Sequence, residues 1–445
     1  MRLSQVAAVS AAFLSEYSVL AAPVPREIRE TFFDPFEIAT LGGNTFKFQQ
    51  TANKNFGGYR KGRGAVSLAR AYSKFGIDVP DSLLSIIEEL LEELGLLSQG
   101  GGKQSNSTAN PAGDVTATPQ MFDSEYLCPV QIGTPAQTLS LDFDTGSSDL
   151  WVFSSETPAS QIEGQTLYEI GQSSTAKQLV GESWAISYGD GSSSSGNVYE
   201  DVVSIGGITV QNQAVESATN VSTAFTQRTD TDGLVGLAFS TLNTVSPQQQ
   251  LTFFDNAMAD LASPLFTANL KASEPGNYNF GFIDPSEFTG DITYVPVNTS
   301  SGFWQFAAEG YEVGSSGAVS DAHQAIADTG TTLIIVPQDI VTAYYAQVSG
   351  AENSESAGGY IFPCSATLPD YTVVIGGHAA TVPASFLNYA PVDGTSFADA
   401  TTCYGGIQAA SADFPFAIYG DVFLKSQFVV FHGGNAELGF AAKPT

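Results

Sequence analysis

Short apolar or alternating runs, separated by turn residues, make up most of the chain. Residues 138–143, 150–154 and 184–188 are runs of this kind, which are typical of β-strands. Two further runs, 202–210 and 371–382, are each interrupted by a Gly-Gly pair, which indicates a hairpin with a two-residue turn. The pattern therefore predicts a protein built mainly from β-strands.

Helical periodicity is confined to a few segments. Leucine and isoleucine recur at helical spacing over residues 81–97, with glutamates on the opposite face, which predicts an amphipathic helix. Residues 248–261 and 337–348 are further candidates, and Pro337 suits a first helical position. Residues 98–111 are rich in Gly, Ser and Asn, so a flexible linker and a domain boundary open to proteolysis are expected there.

Two parts of the chain share a motif. Residues 141–148 and 325–335 each run from apolar residues through Asp-Thr-Gly to two hydroxyl residues, which places Asp144 and Asp328 on glycine turns. An apolar-apolar-Gly tripeptide follows each aspartate at the same distance, because Gly236 and Gly420 lie 92 residues further on (236 − 144 and 420 − 328). The repeat predicts two similar halves that each bring one aspartate to a shared centre.

Charge is divided unevenly along the chain. The 445 residues carry a formal net charge of −30. Residues 1–103 hold 11 basic and 11 acidic residues, whereas the remaining residues hold 5 basic and 35 acidic ones. A polyanion repels nucleic acid and anionic membrane surfaces, which argues against those partners. The charge suits an acidic medium, where carboxylates become neutral, although a merely soluble surface explains it equally well.

The N-terminus has the features of a secretory signal peptide. Arg2 precedes an apolar run at residues 6–14, and small residues suit cleavage near Ala21. No later apolar run reaches the roughly 18 residues of a membrane-spanning helix, so none is expected. Export is compatible with three N-x-[ST] glycosylation candidates, Asn106, Asn220 and Asn298.

Three cysteines allow one disulfide and one remaining thiol. Cys364 and Cys403 enclose a modest loop, which an oxidising compartment could cross-link with a stabilisation of about 3–4 kcal/mol. Cys128 lies in the apolar, strand-like run 126–132, where a buried free thiol is expected.

The paired motif implies a particular chemistry. Two carboxyl groups held close together cannot both ionise cheaply, so Asp144 and Asp328 would share one proton over an acidic pH range. The ionised member can take a proton from a water held between them, while the protonated member donates to a scissile carbonyl. Gly146 and Gly330 are expected to permit close backbone approach. The hydroxyl groups of Ser147 and Thr331 are expected to form hydrogen bonds with the outer carboxylate oxygens. Thr145 and Thr329 are expected to form hydrogen bonds between the two halves of the chain.

Four motifs together resemble the pepsin family of aspartic proteases, most closely its secreted fungal members of the penicillopepsin and aspergillopepsin type. They are Asp144-Thr-Gly-Ser-Ser-Asp-Leu-Trp151, Asp328-Thr-Gly-Thr-Thr332, Tyr188-Gly-Asp-Gly-Ser192 and Asp232-Gly-Leu-Val-Gly236. The similarity runs from about Tyr126 to Phe440. It implies a mainly all-β, bilobal fold, with two pseudo-two-fold related β lobes and short helices. It also implies peptide hydrolysis without a metal or an organic cofactor.

The resemblance assigns roles to single residues. Asp144 and Asp328 match the catalytic aspartates. Tyr188, Gly189 and Asp190 match a hairpin flap that closes over substrate, and Asp190 matches an aspartate that lets the S1 pocket of fungal relatives accept lysine besides large apolar residues. The remaining implied positions are Trp151, whose indole is expected near the Tyr188 hydroxyl, Phe225 and Leu234 in the S1 lining, and a Cys364–Cys403 disulfide. A simple turn aspartate at Asp190 and plain core aromatics at Trp151 and Phe225 stay open as alternatives.

The front segment resembles the inhibitory propeptide of the same family, in which a lysine followed by an aromatic residue reaches the catalytic pair. Lys74 and Phe75 fit that description, although a solvated lysine is the alternative. An ammonium group between two carboxylates is held while they are ionised and released as acid neutralises them. The implied domains are a signal peptide at 1–21, an inhibitory propeptide and linker at 22–118, an N-terminal β lobe with the flap at 119–300 and a C-terminal β lobe at 301–445.

Other function classes fit less well. A magnesium-dependent phosphatase needs alternating strands and helices, and a calcium loop starting at Asp142 would want glycine and glutamate where Ser147 and Phe153 stand. Three histidines and no strong G-x-S-x-G motif weaken a serine or cysteine hydrolase. The alternative that stays open is a catalytically silent pepsin-fold binding or inhibitor protein, although both aspartates are present.

The sequence therefore predicts a secreted, extracellular aspartic endopeptidase. It is expected to be a monomer, to be made as a zymogen inhibited by its own propeptide, and to hydrolyse peptide and protein substrates in acid.

Overall fold

The computed structural model describes residues 46–47, 49–50, 62–75, 77, 79–80, 82–86, 116–188, 192–394, 396–411 and 414–444. Strands predominate among these residues, and the helices are short, so the predicted mainly all-β class is confirmed. No helix in these ranges is both long enough and apolar enough to cross a membrane. The proposed signal peptide, the linker around residue 100 and the sequon at Asn106 lie outside the described residues.

A nine-stranded sheet carries the first Asp-Thr-Gly motif. The strand Gln137–Asp144 lies at its centre and runs parallel to Gly233–Gly236, which in turn is antiparallel to Leu150–Val152. In spatial order the strands are Gln49–Gln50, Thr116–Pro119, Tyr126–Ile132, Gln137–Asp144, Gly233–Gly236, Leu150–Val152, Ile208–Val221, Ser193–Ile205 and Lys177–Ser187.

A seven-stranded sheet carries the second motif and repeats this arrangement. The strand Val319–Ala327 ends one residue before Asp328 and runs parallel to Ala417–Tyr419, which is antiparallel to Ile334–Val336. In spatial order the strands are His378–Val382, Tyr371–Ile375, Gln305–Val313, Val319–Ala327, Ala417–Tyr419, Ile334–Val336 and Ile407–Ala409.

The predicted internal repeat is therefore present in the sheet topology. Gly236 pairs with Asp144 in one sheet, and in the other the amide of Asp328 donates to the carbonyl of Tyr419, the residue before Gly420. The two tripeptides that follow the aspartates at equal distances are thus the strands lying beside them. Equal spacing along the chain reflects equal placement in the two sheets.

Two smaller sheets complete the framework. A six-stranded sheet combines strands from residues 265–296 with strands from residues 427–442, in the order Phe46–Lys47, Asn277–Phe280, Leu265–Asn269, Gln427–His432, Glu437–Ala442 and Thr289–Pro296. A four-stranded sheet has the order Glu352–Ser354, Gly359–Pro363, Thr402–Gly405 and Asn388–Pro391. Buried apolar side chains such as Leu68, Phe143 and Ile326 form one core that joins the helix Arg63–Lys74 to both large sheets.

Both predicted hairpins form. Ser193–Ile205 pairs with Ile208–Val221 through Gly206 and Gly207, and both glycines have positive φ, +60° and +82°. A two-residue turn of this kind needs left-handed backbone at both positions, which glycine adopts without steric cost. The second hairpin joins Tyr371–Ile375 to His378–Val382 through another Gly-Gly pair.

The helices differ from the predictions in their bounds. They are Arg63–Lys74, Thr223–Thr226, Phe253–Ala257, Gln338–Tyr345, Ala384–Leu387 and Asp421–Leu424, with a further helical stretch at residues 82–86.

The expected helix at 248–261 was too long, since only Phe253–Ala257 is α-helical, followed by a 3-10 turn at Met258–Asp260. The helix starts later because Thr252 is its N-cap and accepts a hydrogen bond from the amide of Asp255, while the amide of Gln250, before the helix, donates to Asn243 Oδ1.

The other helix predictions need smaller changes. Pro337 has extended backbone and is the N-cap of Gln338–Tyr345, so the prediction of a first helical position was wrong by one residue. Of the predicted helix at 81–97, residues 82–86 are helical, and residues 87–97 lie outside the described part of the chain. Cys364 and Cys403 form a disulfide, and Cys128 is a buried free thiol.

Candidate active site

Asp144 and Asp328 lie at equivalent strand ends and are almost completely buried, with 1% and 0% of their surfaces exposed. Each carboxylate is held by its own motif. The amides of Gly146 and Gly330 donate to the Oδ1 atoms of Asp144 and Asp328 at 2.8 and 3.1 Å. The Oδ2 atoms accept hydrogen bonds from Ser147 Oγ at 2.6 Å and Thr331 Oγ1 at 2.5 Å. These bonds fix both carboxyl planes and leave the two Oδ1 atoms facing one centre.

The two threonines of the motifs lock the halves together. The amide of Thr145 donates to Thr329 Oγ1 at 3.0 Å, and the amide of Thr329 donates to Thr145 Oγ1 at 3.0 Å. Each hydroxyl also donates to a carbonyl of the opposite half, Thr145 to Ala327 at 2.9 Å and Thr329 to Phe143 at 2.5 Å. This two-fold arrangement positions the two aspartates relative to each other.

Glycine is required beside each aspartate because of the close approach of the two motifs. A Cβ at Gly146 would lie 2.5 Å from Asp328 Oδ1, and one at Gly330 would overlap with Asp144 Oδ1. Any larger residue would therefore push the two carboxyl groups apart.

Lys74 occupies the centre between the two carboxylates. Its Nζ donates to Asp144 Oδ1 at 2.6 Å and to Asp328 Oδ1 and Oδ2 at 2.7 and 2.9 Å. The side chain is 6% exposed. Lys74 is the last residue of the helix Arg63–Lys74, where a cation is favoured by the helix dipole, and the helix buries Leu68, Ala69 and Tyr72.

The three charges give the two aspartates different proton affinities. Burial alone would raise the pKa of Asp144, but the ammonium of Lys74 and the hydrogen bonds from Lys74, Ser147 and Gly146 outweigh it, so the pKa lies below its ordinary value. Burial raises the pKa of Asp328, with Asp144 adding to this effect and Lys74 opposing it. Burial alone would lower the pKa of Lys74, yet the two carboxylates raise it. With Lys74 in place, Asp144 is therefore the more readily ionised of the two carboxyl groups.

An aromatic pocket next to Lys74 receives Phe75. The Phe75 ring lies edge-on to Phe303 and Phe416, each at 5.4 Å between centroids, and 6.4 Å from Phe414. Sequence reasoning missed these three phenylalanines, because they come from distant parts of the chain and belong to no motif. The close spacing of Phe414 and Phe416 in the sequence indicates an aromatic cluster, but it does not show which residues their rings contact.

Tyr188 directly follows the strand Lys177–Ser187, which pairs with Ser193–Ile205, and it contacts the residues expected around it. The Trp151 indole donates to Tyr188 Oη at 3.1 Å, and the Phe225 ring is 5.2 Å from the Tyr188 ring and 4.8 Å from the Trp151 ring system. Leu234 belongs to the same buried apolar cluster. Gly189 and Asp190 lie outside the described residues, so the alternatives for Asp190 stay as the sequence leaves them.

Two further buried carboxyl groups lie near the aspartate pair. Burial, with Asp142 and Asp328 nearby, raises the pKa of Asp421 well above its ordinary value. Burial also raises the pKa of Asp142, with Glu125 and Asp144 contributing. Asp421 belongs to none of the motifs that point to the site in the sequence. Among the described residues, no group of three or more His, Cys, Asp or Glu side chains is arranged to hold a metal ion.

Comparison with known proteins agrees with this geometry. A family model described as eukaryotic aspartyl protease matches residues 125–443. The chain therefore belongs to the eukaryotic aspartyl protease family. It is an aspartic endopeptidase, and the resemblance found in its motifs is confirmed.

Individual relatives are similar over most of the chain. Endothiapepsin of Cryphonectria parasitica is 51% identical over 91% of this chain and 91% of its own length. Penicillopepsin-3 of Penicillium janthinellum is 49% identical over 91% of this chain and 93% of its own. The crystal structure of an aspartic proteinase from Irpex lacteus has a TM-score of 0.61 and 25% identity, covering 74% of this chain and 96% of that one. The predicted bilobal fold class is thereby confirmed.

Proposed function

We propose that Asp144 and Asp328 are the catalytic pair of this endopeptidase and that residues 22–118 form a propeptide that inhibits it. One observation carries the proposal. Both buried carboxylates converge on a single small cation, with Lys74 Nζ 2.6 Å from Asp144 Oδ1 and 2.7 Å from Asp328 Oδ1. A centre that holds an ammonium nitrogen at these distances is also of the right size for a water molecule.

The reaction needs one ionised and one protonated carboxyl group, which two adjacent carboxyl groups that share one proton supply once Lys74 has left. Ionised Asp144 takes a proton from a water held between the two side chains, and the resulting hydroxide attacks the scissile carbonyl carbon. Protonated Asp328 donates to the carbonyl oxygen, which gives a neutral tetrahedral intermediate. The proton on Asp144 then passes to the leaving amine, and the second carboxyl recovers its own proton as the intermediate collapses. Aspartic proteases are the standard example of carboxyl groups that share one proton in this way.

The supporting residues keep this geometry without taking part in proton transfer. Hydrogen bonds from Ser147 and Thr331 to the outer oxygens stabilise a carboxylate charge and set the carboxyl planes. Thr145, Thr329, Gly146 and Gly330 bring the halves into contact, as described above. Tyr188 already accepts a hydrogen bond from Trp151, so its O–H proton is available to a substrate beneath the flap formed by Tyr188, Gly189 and Asp190.

Inhibition by the propeptide is a matter of occupancy and charge. Lys74 fills the position that the attacking water needs, and Phe75 fills the adjoining aromatic pocket. Phe225 and Leu234, which belong to a separate buried cluster, are proposed to line S1, and they would suit peptides with large apolar side chains. Asp190 would extend the S1 preference to lysine.

Acid releases the lysine, and the pKa shifts of the two aspartates determine how its binding depends on pH. The lowered pKa of Asp144 means that its ion pair with Lys74 is fully present above the ordinary Asp pKa of about 3.9 and is lost as the pH falls through the lowered value. The raised pKa of Asp328 has the opposite effect on stability, because the ionised form of this carboxyl is disfavoured. Asp328 therefore takes up a proton before Asp144 does as the pH falls. Lys74 is then paired with Asp144 alone until that carboxyl is protonated too.

The remaining proposals concern processing. A signal peptide at 1–21 would direct the chain out of the cell, and the mature enzyme would be an extracellular monomer with lobes at 119–300 and 301–445. Asn220 and Asn298 are exposed and are suitable acceptors for glycans. Asn298 Oδ1 accepts hydrogen bonds from the amide and hydroxyl of Ser300, the hydroxyl residue of its sequon.

The test is cleavage of a denatured protein by the acid-treated full chain from about pH 2 to 7, the range in which a coupled carboxyl pair titrates. Cutting is expected on the acid side and should stop when a statine-type transition-state mimic is added. A chain that binds the mimic without cutting at any pH would instead be the silent binding protein.

A further inference from the structure

Arg228 is the sole arginine in residues 104–445, within a stretch that holds only five basic residues. Its backbone is held from several sides. The amide of Arg228 donates to the carbonyl of Phe225 at 2.9 Å, and its own carbonyl accepts from Gln165 Nε2 at 3.0 Å and from the amide of Thr231 at 3.1 Å. The side chain therefore starts from a fixed position, just beyond the helical turn Thr223–Thr226.

The guanidinium group of Arg228 lies between an acid and an aromatic ring. Its Nη1 is 3.0 Å from Glu125 Oε2, and the two side chains are 15% and 11% exposed. Its Cζ is 4.9 Å from the centroid of the Phe225 ring. Thr231 Oγ1 donates to the other carboxylate oxygen of Glu125 at 3.0 Å, so the acid is itself held in place.

Phe225 connects this ion pair to the flap. Its ring is edge-on to Trp151 at 4.8 Å and to Tyr188 at 5.2 Å, and Trp151 is bonded to Tyr188. We call Trp151, Tyr188 and Phe225 the aromatic wall. Arg228 contacts this wall through Phe225.

Arginine suits this position better than lysine. Its planar guanidinium can stack on a ring while an N–H at its edge donates to a carboxylate, whereas an ammonium is a point charge without a face. A cation over an aromatic ring is most stabilising where water is excluded, as it largely is here.

We infer that Arg228, held by Glu125, is a positioning residue that fixes the Phe225 ring and thereby sets the aromatic wall for a large apolar substrate side chain. The inference rests on the proposed function, because it assumes that Phe225 lines S1. Arg228 itself touches neither the aspartates nor, on this view, the substrate. Its effect on cleavage is exerted through Phe225.

The test compares two peptide substrates that differ only in the side chain before the cut, phenylalanine or alanine. The acid-activated full chain carrying Arg228→Met should lose about five- to tenfold in kcat/KM on the phenylalanine peptide, mainly through KM, and less than about twofold on the alanine peptide. Arg228→Lys keeps the charge but not the planar face, so it should recover part of the loss. Glu125→Gln removes the charge that holds Arg228 and should give a smaller loss of the same kind.

Lys425→Met is the matched control. Lys425 is also in a buried ion pair, 2.9 Å from Asp123, and lies over an aromatic ring, 5.1 Å from the Phe386 centroid. This variant should lose stability but keep the phenylalanine-to-alanine ratio of the unaltered enzyme.

The inference is overturned if the Arg228 variants lower the melting temperature as Lys425→Met does and leave that ratio unchanged. If Arg228→Met does not fold, Arg228→Lys and Glu125→Gln decide in the same way. Failure of the proposed function would look different, because the unaltered chain would then cut neither peptide.

Discussion

The two halves of the site have the same strand arrangement around their aspartates and differ in the residues that surround the aspartate pair. In both, an aspartate at a strand end lies beside an apolar-apolar-Gly strand and accepts a hydrogen bond from a hydroxyl three residues further on. The nine-stranded sheet includes the strand Lys177–Ser187, which leads to Tyr188, whereas the rings that contact Phe75 belong to Phe303, Phe414 and Phe416. The repeated part thus supplies the carboxyl pair, and the unrepeated parts determine what reaches it.

The halves also differ in charge. The backbone amide bond to the carboxylate is shorter at Asp144 than at Asp328, 2.8 against 3.1 Å, and the pKa of Asp144 is lowered whereas that of Asp328 is raised. A perfectly symmetric pair would offer no preference for which carboxyl ionises. The opposite pKa shifts arise with Lys74 in place, since its ammonium outweighs burial at Asp144, whereas burial and the nearby Asp144 outweigh it at Asp328.

The largest effect on activity is expected when one of the two carboxylates is removed. Asp144→Asn and Asp328→Asn should each lower cleavage of a denatured protein in acid by at least about 10²–10⁴-fold, because the site loses either its base or its acid. Near-native circular dichroism at neutral pH would show that the fold persists. Appreciable activity in either variant would contradict the assignment of a shared centre.

The symmetric part of this comparison could be predicted from sequence. Asp-Thr-Gly occurs twice with the same spacing to a glycine strand, and a local motif preserves local geometry, so Ser147 and Thr331 could be placed beside their aspartates. Arg228, Phe303 and Phe416 could not be placed, because their contacts join residues far apart in the chain. The helix prediction at 248–261 failed for a related reason, since side chains outside this segment, those of Glu182 and Asn243, accept the amides of Gln248 and Gln250 in the non-helical stretch before Thr252.

The next largest effect concerns Lys74, which binds the aspartates of both halves. Lys74→Ala should weaken retention of the propeptide at neutral pH by roughly 3 kcal/mol, the usual cost of removing one member of a buried ion pair. Activation would then no longer wait for protonation of Asp144, so the midpoint of conversion should move to higher pH. The measurement is the pH dependence of conversion, followed by gel electrophoresis.

Lys177→Ala is a suitable control for that experiment. Lys177 also pairs with an acid, 2.8 Å from Glu200, but its side chain is 71% exposed. Exposed pairs contribute little, so its activation profile should match that of the unaltered chain. A Lys74→Ala profile equally unchanged would count against inhibition by Lys74.

The smallest predicted effect tests the symmetry itself. Thr145→Val and Thr329→Val each remove a hydroxyl that accepts from an amide and donates to a carbonyl of the opposite half, and each leaves those buried groups without their partner. Each change should therefore lower the free energy of unfolding by about 1–3 kcal/mol. Because the two networks are related by the repeat, the two losses should be of similar size in urea denaturation at neutral pH. A clearly larger loss for one threonine would mean that the interface depends on one half more than the other, and that the two-fold frame is only approximate in energy.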